Sequence, residues 1–380
     1  MATALIGATV FDGTRLLRDR AVVIEDGNIA DLVAETALAN GVERQRISGL
    51  LAPGLIDIQV NGGGGVLFND QPTAEGIAAI GAAHRRFGTT GFLPTLITDT
   101  ADCMKEAIAA ASTAIQARSA GVLGIHLEGP FLNPERKGIH RAALMRGIDE
   151  RDVAMIDLPA GGRILMTVAP EKTDPETIAR LTKSGIIVAA GHTKADVDTI
   201  RRAQAAGLTG ITHLFNAMPP LMNREPGPVG AALDDRELWC GLIVDLHHVS
   251  PVSLRVAIAA RGTERMILVT DAMPSVGSDA TSFELLGQRI KLTDGALVSA
   301  EGTLAGSNLD MASAVRNTVR HLGVSVEEAL RMAALYPAQF LRLDHELGRI
   351  ATGYRADLVL LDSDFRVKST WISGQRQNEK

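Results

Sequence analysis

Cysteine is nearly missing: Cys103 and Cys240 are the only two in 380 residues. They lie far apart with no metal-type spacing, which excludes a disulfide scaffold and fits a reducing cytoplasm. No run of Lys or Arg is long enough to track a phosphate backbone. With a net charge of −6 and a pI of about 5.9, nucleic acid is excluded as a partner. The short pair Arg85–Arg86 reads as a solvated helix face. No apolar segment approaches the roughly 18 residues that span a bilayer. The N-terminus, Met1-Ala-Thr-Ala-Leu-Ile-Gly, lacks a basic region leading into an apolar stretch, so no secretory signal is expected. Tandem repeats and low-complexity linkers are also missing.

What remains suits a globular α/β enzyme. Hydrophobic residues make up 46% and charged residues 22%, ordinary values for such a protein. Length alone gives two or three domains, although α/β barrels exceed that size as one unit. Residues 1–52 read as short strands, with two β-rich runs around the turn Asp26-Gly27-Asn28. Leu358–Leu361 and Val367–Ile372 near the other end are strand-like too. The two ends, 1–52 and 345–380, are therefore expected to build one small β-sandwich domain.

Residues 53–344 alternate short apolar runs with Ala-rich, helix-compatible stretches such as Thr73–Arg86 and Ala101–Arg118. The runs are Leu55–Val60, Gly91–Ile97, Val122–Leu127, Ile164–Val168, Ile186–Ala190, Gly210–Leu214, Gly241–Leu246 and Met266–Thr270. Eight such strands imply a (β/α)8 TIM-type barrel, with an open doubly wound sheet as the alternative.

Catalytic groups of a barrel sit at the C-terminal ends of its strands. Strand three ends in His126-Leu-Glu128, strand five in Gly191-His192, strand six leads into His213, and strand eight into Asp271. Glu128, His192 and His213 would converge on one rim. One carboxylate and two imidazoles leave an open coordination position, the arrangement of a catalytic metal site. Such an ion lowers the pKa of bound water from about 15.7 to about 7, and Asp271 is placed to take the proton. His126 reads as a packed or supporting histidine. Singly, each of these residues would pass for a hydrogen-bonded strand end or a helix cap; their company gives them weight.

These segments carry a family resemblance. Leu51-Ala-Pro-Gly-Leu-Ile-Asp-Ile-Gln-Val-Asn, His126-Leu-Glu-Gly-Pro-Phe-Leu-Asn-Pro, Ala190-Gly-His-Thr, Thr212-His-Leu-Phe-Asn-Ala-Met, Val269-Thr-Asp-Ala-Met and Gly302-Thr-Leu-Ala-Gly-Ser span nearly the whole chain. In order and spacing they resemble the amidohydrolase superfamily and, within it, the N-acetylglucosamine-6-phosphate deacetylases. The resemblance implies hydrolytic deacetylation of N-acetyl-D-glucosamine 6-phosphate, in amino-sugar catabolism and cell-wall sugar recycling. It implies Glu128, His192 and His213 as ligands of a divalent metal and Asp271 as the acid/base. It implies substrate contacts by Ile139, His140, Asn216, Ala217, Arg224, His248 and Leu304-Ala305-Gly306. Arg224 and His248 would meet the sugar phosphate, which suits a guanidinium's fork of donors. In the family such groups can come from a neighbouring subunit, so a homodimer is implied. The glycines Gly62–Gly65 either approach a ligand closely or form a plain flexible loop.

One departure concerns the metal. Many superfamily relatives carry His-x-His after strand one, where this chain has Gln59 and Asn61, and no Lys follows strand four. Neutral amides are weak ligands, so one tightly held ion per chain is expected: zinc, or else iron, cobalt or manganese. Two other readings remain: an amidohydrolase acting on a different N-acyl sugar or a cyclic amide, and a non-catalytic barrel that only binds.

Overall fold

The computed structural model describes residues 2–158 and 161–377. Eight strands form one parallel sheet: β1 (Leu55–Val60), β2 (Thr89–Ile97), β3 (Gly124–Glu128), β4 (Arg163–Val168), β5 (Ile187–Ala190), β6 (Gly210–Ile211), β7 (Trp239–Ile243) and β8 (Met266–Val269). Each pairs with its neighbours in sequence, and the sheet closes on itself. A parallel bridge joins Val60 to Ala272. Beside it the Asp271 N–H donates to the Gln59 carbonyl at 3.0 Å, and the Asn61 N–H to the Ala272 carbonyl at 2.9 Å. The expected (β/α)8 barrel is therefore the fold. Its strands are continuous apolar runs because both faces are covered; every residue of β1, β2, β3 and β5 is buried.

The helices begin where short polar side chains can cap them. Thr73 accepts the Gly76 N–H ahead of helix Ala74–Arg85, and Thr100 accepts the Cys103 N–H ahead of Ala101–Gln116. Strand β6 is shorter than the five residues expected, because the chain leaves the sheet by His213, whose φ is +32°. No described helix is long and apolar enough to cross a membrane.

The chain ends meet, as expected. A four-stranded sheet takes Thr3–Ile6, Arg20–Glu25, Asn28–Ala34 and Glu43–Arg46. A six-stranded sheet takes Thr9–Phe11, Leu16–Leu17, Leu50–Pro53, Leu358–Leu361, Val367–Ile372 and Gln375–Gln377. Leu5, Val22 and Ile29 of the first share one apolar layer with Val10, Leu51, Leu358 and Trp371 of the second. Leu50–Pro53 runs antiparallel to Leu358–Leu361, with Leu358 opposite Pro53. Asp26 and Gly27, at φ +48° and +82°, make the two-residue hairpin turn.

One feature goes beyond the alternating strand–helix reading. Between β8 and helix Met311–Leu322 lies a four-stranded antiparallel sheet, Ser282–Leu285, Gln288–Thr293, Ala296–Val298 and Leu304–Ser307. Its Leu285, Ile290 and Leu297 pack with Leu67, Ile97 and Ile139, so it leans on the C-terminal rim of the barrel.

Candidate active site

Four side chains identified from sequence meet at that rim. Glu128 is the last residue of β3, while His192, His213 and Asp271 each lie two residues beyond a strand. The latter three have φ of +48°, +32° and +54°. L-residues rarely adopt such angles, and they persist only where surrounding contacts over-determine them. Here those contacts include the Asp271 N–H bond to Gln59 and a bond from the Ser307 N–H to the Asp271 carbonyl at 2.8 Å.

The side chains form a tight triangle. His213 Nε2 is 2.9 Å and His192 Nε2 3.2 Å from Glu128 Oε1, and the two nitrogens are 3.1 Å apart. A ligand atom of His140 also lies within 4.8 Å of those of Glu128 and His192. Tautomers separate the roles. His192 Nδ1 faces the Arg136 carbonyl at 2.8 Å and must donate, leaving Nε2 as a bare lone pair. His140 is the reverse: the Thr98 N–H donates to its Nδ1, putting the ring proton on Nε2. His140 therefore offers a donor, whereas His192 offers a ligand atom. His126 offers neither, because Thr95 and Thr167 hydroxyls occupy its two nitrogens at 3.2 and 2.8 Å. Burial lowers His126 to about 4 and His140 to about 3, so both are neutral.

Two imidazole nitrogens crowded on one carboxylate oxygen require a positive charge between them. Burial pushes the Glu128 carboxyl up, but hydrogen bonds from His192 and His213 outweigh it and hold it well below its usual range. Burial likewise lowers His213, and the hydrogen bond and charge of Glu128 reverse this, raising it. A divalent cation would displace the proton that Glu128 otherwise holds on His213. The donor set, two imidazoles and a carboxylate, fits a catalytic metal. His213 Nδ1 is buried with no partner among the described residues.

Gln59 and Asn61 spend their amides differently. Gln59 Nε2 donates to both Glu128 oxygens and to Asp271 Oδ1, at 3.2 to 3.3 Å, and Asn61 Nδ2 donates to Asp271 Oδ1 at 2.6 Å. Amide protons thus stand where a second cation would need lone pairs. Burial first, then the charge of Glu128, raises Asp271 to about 6.

Of the remaining residues, Ala305 and Ile139 join Met273 in one apolar cluster beside the rim. Gly306, at φ +60°, passes so close to the Asp271 carbonyl that a Cβ would sit 2.8 Å from it. Asn216 bonds back to the His213 carbonyl, and the Ala217 carbonyl accepts the Thr193 N–H. Asp245 holds His248 Nδ1 at 2.6 Å, and Nε2 has no partner among the described residues. Arg224 is exposed and makes no hydrogen bond or ion pair among the described residues, so it stands apart from the others. Sequence reasoning missed Asp57. It is fully buried below Asp271, where it accepts the Thr270 hydroxyl at 2.5 Å and the Gln59 and Thr270 N–H groups at 3.2 and 3.3 Å. Its spacing of two from Gln59 on β1, facing the same side, was the available signal.

Comparison with known proteins follows the same lines. The amidohydrolase family matches residues 50–376, and a NagA composite domain matches residues 3–51. An N-acetylgalactosamine-6-phosphate deacetylase of Shewanella sp. (strain ANA-3) is 43% identical, over 97% of this chain and 94% of its own. The crystal structure of N-acetylglucosamine-6-phosphate deacetylase from Pasteurella multocida superposes with a TM-score of 0.94 at 31% identity, covering all of both chains. An aspartate-to-alanine variant of the Mycobacterium smegmatis N-acetyl-D-glucosamine-6-phosphate deacetylase, solved with that sugar phosphate, gives 0.89 at 34% identity, over 99% and 98%. On the strength of the matched residues, the barrel and these relatives, the chain belongs to the amidohydrolase family, in the group formed by the N-acetylhexosamine-6-phosphate deacetylases.

Proposed function

We propose that this protein hydrolyses the acetamide of N-acetyl-D-glucosamine 6-phosphate, releasing acetate and D-glucosamine 6-phosphate. The observation that carries this reading is the buried triangle of Glu128, His192 and His213, with Asp271 beside it. A divalent cation held by those three residues, zinc in our reading, supplies Lewis-acid polarisation and acidified water. Asp271 takes a proton from the attacking water as its oxygen joins the acetyl carbon. The C–N bond then breaks, and Asp271 returns that proton to the amine nitrogen. His140, locked with its proton on Nε2, donates to the carbonyl oxygen as negative charge grows there. Ile139, Asn216, Ala217 and the strand Leu304-Ala305-Gly306 shape the pocket, and Arg224 and His248 hold the 6-phosphate.

The 43% identity to an N-acetylgalactosamine-6-phosphate deacetylase supports a second reading, in which the substrate is the C4 epimer. The test is acetate release after metal reconstitution from both 6-phosphates and from unphosphorylated N-acetylglucosamine. The higher kcat/KM decides between epimers, and no turnover of either phosphate would end both readings.

The working unit we propose is a homodimer in the cytoplasm, each chain divided into a barrel (53–344) and a β domain (1–52 and 345–380). Both cysteines are free, which suits a reducing compartment. Leu221 and Met222, each 53% exposed, precede Arg224 on its loop, and Val252 and Val256 are exposed one turn apart on helix Pro251–Arg261. Exposed apolar groups beside a phosphate-binding arginine suit a subunit contact. Sedimentation of Leu221→Ser/Met222→Ser should show dissociation at concentrations where the parent is dimeric; a parent that sediments as a monomer removes the proposal.

A further inference from the structure

Away from the metal triangle, a cleft of about 900 Å³ separates helix Ala74–Arg85 from the sheet built by the chain ends. Its walls carry Arg85, Arg86, Lys368 and Arg376, and no acidic residue lines it. A neighbouring hollow of about 470 Å³ shares Lys368 and Arg376, adds Arg46, and has no acidic lining either. Among the described residues none of these five cations is within ion-pair distance of a carboxylate. In a chain with net charge −6, four cations around one cleft without an ion-paired carboxylate, with Arg46 on the adjoining hollow, stand out.

Helix termini explain only part of this. Arg85 and Arg86 close their helix, where cations complement the dipole. Lys368 and Arg376 come from strands Val367–Ile372 and Gln375–Gln377, which no such effect governs. Nor is Arg85 the solvated side chain its sequence context predicts. It is only partly exposed, and burial without a counter-charge pushes its guanidinium below the usual value. Existing hydrogen bonds use few of the arginine donors: Arg85 gives one to the Ala120 carbonyl, Arg86 one to the Gly277 carbonyl and Arg376 one to Ser369 Oγ, while Lys368 gives two to Ser48. An arginine has five N–H groups, so among the described residues most of the arginine donors are unused.

We propose that this cleft is a second ligand site, for a small phosphate-bearing anion. Its volume lies in the range of small-molecule sites, roughly 300–1,000 Å³, and paired guanidinium groups match phosphate oxygens in fork geometry. Of Gly62–Gly65, only Gly64 is among the residues lining the cleft, where its loop packs on the helix. Gly64 and Gly277 line the cleft, and at each an added Cβ would crowd Ala83, at 3.2 and 3.0 Å. The Gly64 N–H bonds the Val276 carbonyl at 2.7 Å, tying the loop after Asn61 to the turn after Asp271. An anion in the cleft therefore rests against the two backbone segments that carry those catalytic-site side chains.

The probe is the trisulfonated dye pyranine, followed by fluorescence anisotropy on the full-length metal-loaded protein and displaced with inorganic phosphate. Saturable dye binding carried by the cleft cations is expected, displaced by phosphate but not by chloride at equal ionic strength. Arg86→Ser/Lys368→Ser should weaken it at least tenfold, and Arg224→Ala should leave it within about twofold. Arg376→Ser is the second probe of the same wall, and thermal melting checks that each variant folds. Unchanged dye affinity in both cleft variants, loss of binding in Arg224→Ala, or displacement by chloride as readily as by phosphate would overturn the proposal.

Discussion

The two ends of the candidate active site are built on opposite terms. At the inner end, Glu128, His192, His213 and Asp271 are largely or wholly buried, held at strand ends, and bound to one another or to the amides of Gln59 and Asn61. At the outer end as proposed, Arg224 sits exposed on a loop between Met222 and Pro226, and among the described residues the His248 side chain is anchored through Asp245. On the function proposed above, the inner end is finished by this chain alone, and the outer end needs a substrate or a second subunit to give its cations something to hold. The proposal therefore gives chemistry common to every N-acetyl sugar to the first and discrimination among them to the second.

The sharpest test of that division is Asp271→Asn. It keeps the shape and removes the proton carrier, so kcat should fall at least about a hundredfold, the usual scale for general acid–base work. The loss should be equal on phosphorylated and unphosphorylated sugars, with metal content unchanged by elemental analysis. Wild-type turnover would remove Asp271 from the mechanism. Arg224→Ala should cost less and choose between substrates. A hydrogen bond to a charged group contributes roughly 1.5–3 kcal/mol, so kcat/KM for the 6-phosphate should drop about tenfold to a hundredfold, while the slow reaction on unphosphorylated N-acetylglucosamine stays put. Equal losses on both would mean that Arg224 serves the fold or the subunit contact.

The metal count probes the inner end without any mutation. Because Gln59 and Asn61 present N–H groups to Glu128 and Asp271, dialysed protein should retain about one tightly held ion per chain; two would contradict this. The smallest effect is expected beneath the site. Burial raises Asp57 to about 7, against about 3.9 for a free aspartate. Between those values the folded chain keeps a proton that the unfolded chain has lost. This group therefore makes stability fall as pH rises through that window, with no further change above or below it. Asp57→Asn abolishes the titration, so its melting temperature should gain a few degrees on the parent between about pH 4 and pH 7. A constant gap across that range would show that Asp57 is ionised throughout.

The inner end was the more legible in sequence for a physical reason. A polar residue at the end of an apolar strand run has few places to go in a barrel, so Glu128, His192, His213 and Asp271 declared themselves by position. The histidines needed more than position. Only the Thr95 and Thr167 hydroxyls show why His126 is spoken for, and only the Thr98 N–H shows which way His140 is protonated. The rim sheet escaped notice because its strands are half-exposed and short, although Asp294-Gly295, at φ +51° and +87°, is as plain a hairpin turn as Asp26-Gly27. Asp57 escaped because an acid inside an apolar run gives no hint of the backbone N–H groups it will meet.

The pairing of Leu50–Pro53 with Leu358–Leu361 bears on how the protein is made. The first strand leaves the ribosome about 300 residues before its partner, which at roughly 5–20 residues per second is a wait of about 15 to 60 seconds. Throughout that time the amino-terminal strands have an unpaired apolar edge, the kind of edge that recruits other chains. All eight barrel strands are translated between the two halves of the sheet. Nascent chains stalled before residue 358 should thus be the species most dependent on chaperones, and a circular permutant that begins near residue 345 would translate both halves together and shorten the exposure to seconds.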